Sequence, residues 1–206
     1  VVAASGYRRT RRRAGRPGVE LVDQAMCGLL HTPGDPDGPP TLAGVGLADT
    51  NAGAHAFGAI GHALYHRERS GRGTHLDISM VDALLHFHDM SIHTVSMDPD
   101  GPEPIRQGRH FPTLSPAGAF RGPVGWIVIL STEAQMASLW AALGRPEIGE
   151  DDRFKSHPDR SEHRAELTEI IETWTATSET AHQAHPQLTP NHDPAVPLPS
   201  PRAPPP

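Results

Sequence analysis

The run Gly44-Val45-Gly46-Leu47-Ala48-Asp49-Thr50-Asn51-Ala52-Gly53 constrains this chain more than any other stretch. A short apolar segment ends in one carboxylate, small residues follow, and a long helical pattern rich in Ala and Gly begins. The pattern predicts a short buried strand, a turn at Asp49, and a helix start capped by Thr50 or Asn51. A carboxylate at that point is favoured as an anion by the free N–H groups and dipole of the first turn. Gly46, Ala48, Ala52 and Gly53 leave room for a large group beside it. Two readings are open from this pattern: an ordinary first-turn acid, or a nucleophile that is ionised, fixed and uncrowded.

The helix after Asp49 is predicted to run to about Arg69, with Phe57, Ile60 and Leu64 as its apolar positions and Ser70-Gly71-Arg72-Gly73 as its stop. Each Gly in an exposed helix costs about 1 kcal/mol against Ala, so Gly53, Gly58 and Gly61 predict a close-packed neighbour. Upstream, Val1 to Ser5 reads as a strand end and Arg8 to Arg16 as a solvated basic arm. Val19 to Leu30 reads as a helix with Leu21, Val22, Ala25, Met26, Leu29 and Leu30 on one side.

Downstream, the alternation over Thr74 to Met80 predicts a strand and Val81 to about His93 a helix. Pro112 to Gly118 reads as irregular and Trp126 to Leu130 as a short apolar strand. Glu133 to Leu143 is predicted helical with Met136, Leu139, Trp140 and Leu143 inward. Ser161 to Thr175 is a second amphipathic helix with Leu167, Ile170, Ile171 and Trp174 as its stripe. From Pro186 on, about nine prolines and almost no large apolar residues predict disorder.

Composition narrows the function classes. The 206 residues suffice for a real core, and the net charge of −6 gives no global argument for nucleic acid. The single cysteine, Cys27, excludes an internal disulfide and reads as a small buried residue, and it fits a reducing, cytoplasmic setting. No apolar run approaches the roughly 20 residues needed to span a bilayer, so no membrane partner is expected. The chain does not begin with Met and reads as a fragment or processed product.

Several residues occur together in a telling order. These are Arg16-Pro17-Gly18 before a helix, Gly34 in a turn, Asp49 followed by Gly53, Glu68-Arg69-Ser70-Gly71-Arg72-Gly73, the strand to Asp77 and Met80, and Asp82-Ala83. Later come Arg106-Gln107-Gly108, Pro116 to Phe120, Gly144-Arg145-Pro146-Glu147 and Asp151-Asp152-Arg153-Phe154. With these residues the sequence resembles the class III CoA-transferases, the CaiB/BaiF family that includes formyl-CoA transferase and carnitine CoA-transferase. The match runs from about Arg16 to Thr175.

The resemblance implies an α/β fold: a fragment of the class III CoA-transferase fold, comprising the second part of the large domain and part of the small domain, with a disordered Pro-rich tail. On that reading 1–16 is a basic, poorly ordered edge, and 17–97 belongs to the large domain with the nucleophile. Residues 98–177 are linker and small domain, and 178–206 the tail. The family's first half, a nucleotide-fold domain, is not in this sequence, and both edges read as truncation or a shifted frame. The implied site residue is Asp49, placed where the family's Asp attacks an acyl-CoA to form a mixed anhydride and then an aspartyl-CoA thioester. CoA enters as substrate, with no cofactor or metal. The implied partners are an acyl-CoA, a carboxylic acid and, in an interlocked homodimer, a second copy. In the related alpha-methylacyl-CoA racemases a His follows the Gly that matches Gly18. Here that residue is Val19, which carries no proton and favours the transferase branch.

Two rivals remain at this stage. Asp82, His86, Asp89 and His93 fall at spacings of four, three and four, which on one continuous helix would form a metal-ligand stripe and a metal-dependent hydrolase. A catalytically incompetent family member, acting as a dimerisation or interaction module, is the non-enzymatic alternative.

Overall fold

A computed structural model describes residues 1–10, 12–177 and 195–202. The chain divides into two compact units, Val1–Gly108 and Arg109–Pro206. Among the described residues no helix is long and apolar enough to cross a membrane.

The first unit runs β1 (Val2–Ser5), α1 (Glu20–Met26), α2 (Leu47–Ser70), β2 (Leu76–Ser79), α3 (Met80–Phe87) and α4 (Asp89–Met97). β1 and β2 pair in parallel, from Val2 opposite Leu76 to Ser5 opposite Ser79. Within the N-terminal edge read as poorly ordered, the stretch read as a strand end at Val1 to Ser5 is thus the paired strand β1. The basic turn that follows is also held: Arg8 pairs with Asp82, and the Arg9 N–H donates to Asp77 at 3.0 Å. The segment before Asp49 is exposed and irregular, not a buried strand, and no strand among the described residues offers it a ladder.

α2 spans 24 residues. Gly71 ends it at φ 68°, a left-handed conformation that glycine adopts without a Cβ clash, and its N–H returns to the Arg67 carbonyl at 2.8 Å. The predicted helix over 81–93 is two helices. His88 (φ −87°, ψ 48°) leaves helical geometry, its N–H closes α3 on the Leu84 carbonyl, and Asp89 restarts the chain by accepting from the Met90 N–H at 2.8 Å. Ser79 caps α3 by accepting from the Asp82 N–H. The core here is small: Cys27, Ala48 and Leu84, with Leu29, Leu47, Met80 and Val81 against them.

The second unit holds an antiparallel sheet of β3 (Ala117–Arg121), β4 (Trp126–Leu130) and β5 (Ala195–Pro197), in the order β3-β4-β5. Beside it stand α5 (Met136–Ala142), α6 (His157–Glu162) and α7 (Arg164–Thr175). β3 falls partly in a stretch read as irregular, since Ala-Gly-Ala-Phe-Arg has too few large residues to show alternation. β5 corrects the expectation of a disordered tail at these three residues. Ile129 pairs with Ala195 and Ile127 with Pro197, and backbone pairing needs no large side chain. The rest of the tail expectation, over 178–194 and 203–206, lies outside the described residues. The helix read over 161–175 is α6 and α7, with α6 started by a capping box of Ser156 and Asp159. Met136, Leu139, Trp140, Leu143, Leu167 and Ile171 are all buried in one core with Phe120, Ile127, Ile129, Ile148 and Phe154.

Candidate active site

Asp49 is exposed in the first turn of α2, flanked by Ala48, which belongs to the small core, and by Ala52, which is also buried. Asn51 does not cap the helix. Its Nδ2 donates to the Ala83 carbonyl at 2.7 Å and ties α2 to α3. Thr50 does not cap it either, for the N-cap is Gly46 and gives no side-chain bond.

The cap comes from α1. Glu20 Oε1 accepts from the Ala48 N–H and Oε2 from the Asp49 N–H, both at 2.9 Å. A helix start leaves its first N–H groups without partners, and one carboxylate from another helix takes two of them. Gln24, one turn further along α1, steadies this carboxylate. Its Nε2 donates to Glu20 Oε1 at 2.5 Å and to the Val45 carbonyl at 3.3 Å. Burial raises the Glu20 pKa, but the Ala48 and Asp49 N–H groups, with Gln24 and Leu47, outweigh it and hold the carboxyl below its ordinary range.

This arrangement reverses the face of α1. Leu21, Val22 and Met26, read as inward, are exposed, while Asp23 and Gln24 are fully buried. Helix α1 turns its polar side inward because Glu20 and Gln24 have bonds to make there. Asp23 lies under the crossing of two backbone segments: a Cβ on Gly6 would come within 2.5 Å of the Gly18 Cα, with the Asp23 carboxylate 3.1 Å away. Only glycine allows that approach. Both Asp23 carboxylate oxygens are buried without a hydrogen-bond partner. Burial, followed by the charges of Glu20 and Asp49, pushes its pKa up.

The space around Asp49 is open. A Cβ on Gly53 would meet nothing within 4 Å, and one on Gly46 would make only ordinary contacts with Glu20 at 3.7 Å and Thr50 at 3.9 Å. The sequence singled out Asp49 and its small neighbours but missed Glu20, Asp23 and Gln24. The signal was an acid and an amide at i and i+4 on a helix directly after Arg-Pro-Gly. The metal stripe is not assembled: the break at His88 separates Asp82 and His86 from Asp89 and His93, and Asp82 is paired with Arg8. Among the described residues no group of three or more His, Cys, Asp or Glu side chains is placed to hold a metal ion.

A sequence profile for CoA-transferase family III matches residues 1–202. The chain belongs to CoA-transferase family III. It is 34% identical over 167 residues to a succinyl-CoA:mesaconate CoA-transferase of Haloarcula hispanica, covering 80% of this chain and 41% of that protein. It is 32% identical over 182 residues to an acetyl-CoA:oxalate CoA-transferase of Acetobacter aceti, covering 87% and 46%. The fold matches a CaiB/BaiF family protein from Brucella suis with a TM-score of 0.80 at 27% identity, over 97% of this chain and 52% of that one. A hypothetical protein from Mycobacterium tuberculosis matches with a TM-score of 0.81 at 27% identity, over 98% and 53%. This family III chain thus spans about half the length of the relatives it matches, and its α/β fold corresponds to that share of theirs.

Proposed function

We propose that this chain carries the aspartyl centre of a CoA-transferase, which moves CoA from an acyl-CoA to a carboxylic acid through Asp49. The observation that carries the reading is the placement of Asp49: an exposed carboxylate in an uncrowded first turn, on a chain of this family. An Asp49 oxygen attacks the thioester carbonyl, the C–S bond breaks, and CoA leaves as thiolate from a mixed anhydride. The thiolate attacks the aspartyl carbonyl and expels the donor acid as its carboxylate, which leaves an aspartyl-CoA thioester. The acceptor carboxylate then attacks that thioester, releasing the thiolate and forming a second anhydride. Attack of the thiolate on the acceptor carbonyl yields the new acyl-CoA and frees Asp49. Charge is conserved throughout, with no redox step and no net proton.

Glu20 supports this reading as a positioning residue. By occupying the N–H groups of Ala48 and Asp49 it fixes the first turn. It also removes two donors that would otherwise stabilise the Asp49 anion and blunt its attack. Those donors, bound by Glu20, are not available as an oxyanion hole. The acting species is proposed to be a cytoplasmic homodimer.

Intact-mass spectrometry after incubation with a panel of acyl-CoAs and hydroxylamine tests the reading. A hydroxamate on Asp49, lost in Asp49→Ala, is expected, because hydroxylamine traps either acylated form of the carboxyl. A folded wild-type chain that gives no adduct with any thioester overturns it.

A further inference from the structure

The basic turn between β1 and α1 is the part of the first unit that the CoA-transfer reading leaves unused. It is held at several points. The Gly6 carbonyl accepts from Ser79 Oγ and from the Val81 N–H, both at 3.2 Å. Arg8 pairs with Asp82, the Arg9 N–H donates to Asp77, and Arg13 Nη1 lies 3.2 Å from Met26 Sδ on α1. Tyr7, Arg8, Arg12 and Arg13 then line a cleft of about 380 Å³, with Ser79 and Asp82 on its other wall. Three guanidinium groups share this cleft with one carboxylate, and Arg8 already takes that carboxylate. Among the described residues Arg12 and Arg13 have no acidic partner. Elsewhere the chain behaves differently. It carries 24 acids against 18 bases, and Arg109, Arg145, Arg153 and Arg160 each meet a carboxylate. Like charges gathered at one cleft repel one another, and an anion between them replaces that repulsion with attraction.

We propose that this cleft binds a phosphate-bearing anion, a diphosphate or a phosphate ester, held by Arg12 and Arg13 with Arg8 beside them. A guanidinium fork matches two oxygens at once. One fork satisfies a carboxylate. Two or three forks call for an anion with more terminal oxygens and more than one charge, which a phosphate group supplies. The guanidinium groups carry the binding, because the N–H groups of Val81 and Asp82 at the start of α3 are already bonded to Gly6 and Ser79. The start of α3 adds only the positive end of its dipole. The cleft has the size of a small-ligand site. It does not depend on the CoA-transfer reading, since none of its residues takes part in holding Asp49.

Calorimetric titration of the full chain with inorganic pyrophosphate at low ionic strength tests it. One equivalent is expected, with an affinity that falls as salt rises. Arg12→Gln and Arg13→Gln should each weaken binding about three- to tenfold. Arg72→Gln, at an exposed arginine past the end of α2, should leave it unchanged. Asp82→Asn keeps the α3 cap, which uses the Asp82 N–H, and removes the carboxylate from the cleft, so it should tighten binding. A misfolded variant cannot give that gain. Competition separates the two sources of such a group: CoA displaces pyrophosphate if the diphosphate of an acyl-CoA seats there, and does not if the occupant is a separate phosphate ester. No uptake by the wild-type chain overturns the proposal. So do wild-type affinity in both Arg12→Gln and Arg13→Gln, an equal loss in Arg72→Gln, weaker binding in Asp82→Asn, or succinate bound more tightly than pyrophosphate.

Discussion

Arg160 in the second unit and Asp23 in the first are both charged side chains sealed from water, and their surroundings could hardly differ more. Arg160 Nε donates to the Ser115 carbonyl at 2.7 Å, Nη1 to the carbonyls of Phe154 and Lys155 at 2.9 and 3.3 Å, and Nη2 to Glu133. Asp23 has no partner for either carboxylate oxygen. The same contrast extends to the apolar residues. The second unit closes eleven buried residues into one core, whereas the first gathers Cys27, Ala48 and Leu84 and leaves Phe57, Ile60, Leu64 and Tyr65 of α2 exposed. One unit closes a core of its own. The other spends its polar groups on shaping the turn that presents Asp49.

If that contrast is right, the largest effect belongs to the satisfied charge. Arg160→Met keeps volume but strips partners from three carbonyls and from Glu133. Glu133 is exposed, so the cost comes from the three carbonyls, at about 1–3 kcal/mol for each buried acceptor left without its donor, to be read from urea unfolding followed by a probe in the second unit. A cost below about 1 kcal/mol would put Arg160 among ordinary surface-type ion pairs and break the comparison. Next in size is the core itself. Leu139→Ala, at a side chain with no solvent exposure, should cost about 2–5 kcal/mol. Leu64→Ala, on the open length of α2, should stay within about 0.5 kcal/mol. Equal costs would show that α2 is covered in solution by something that acts as a core for it.

The same contrast explains what could be read from the sequence. In the second unit, Met136, Leu139, Trp140 and Leu143 recur at helical spacing because the core they face is made by the unit itself, and so the stripe names the buried side correctly. β4 was legible for the same reason, while β3 was not, since Ala117, Gly118 and Ala119 carry too little bulk to mark a face. In the first unit the rule inverts. Leu21, Val22 and Met26 form the more obvious stripe on α1, yet the helix buries Asp23 and Gln24. What decides its rotation is the bond between Glu20 and the start of α2, 28 and 29 residues away in sequence. No local pattern records such a bond. Asp49 itself was visible because a helix start and small neighbours are local features. The carboxylate that fixes it was not, because its role appears only when two helices are brought together.

Asp23 provides the smallest expected effect at a buried side chain and the one with the opposite sign. Its buried carboxylate stays protonated more readily in the folded chain than in the unfolded one, so between the ordinary carboxyl range and its raised folded pKa the native state binds more protons. Stability therefore falls as pH rises through that interval. Glu20 works in reverse: its lowered folded pKa gives a contribution present above the unfolded value and lost as pH falls through the lowered one. Asp23→Ala removes only the first effect. The variant should be more stable than wild type by about 1–2 kcal/mol near neutral pH. The gain should shrink as pH falls and level off below about pH 3, where the wild-type carboxyl keeps its proton in both states. Denaturant unfolding at the two pH values decides the matter. A variant less stable than wild type at neutral pH would mean that Asp23 has found a partner in solution, and that the first unit, like the second, satisfies the charge it buries.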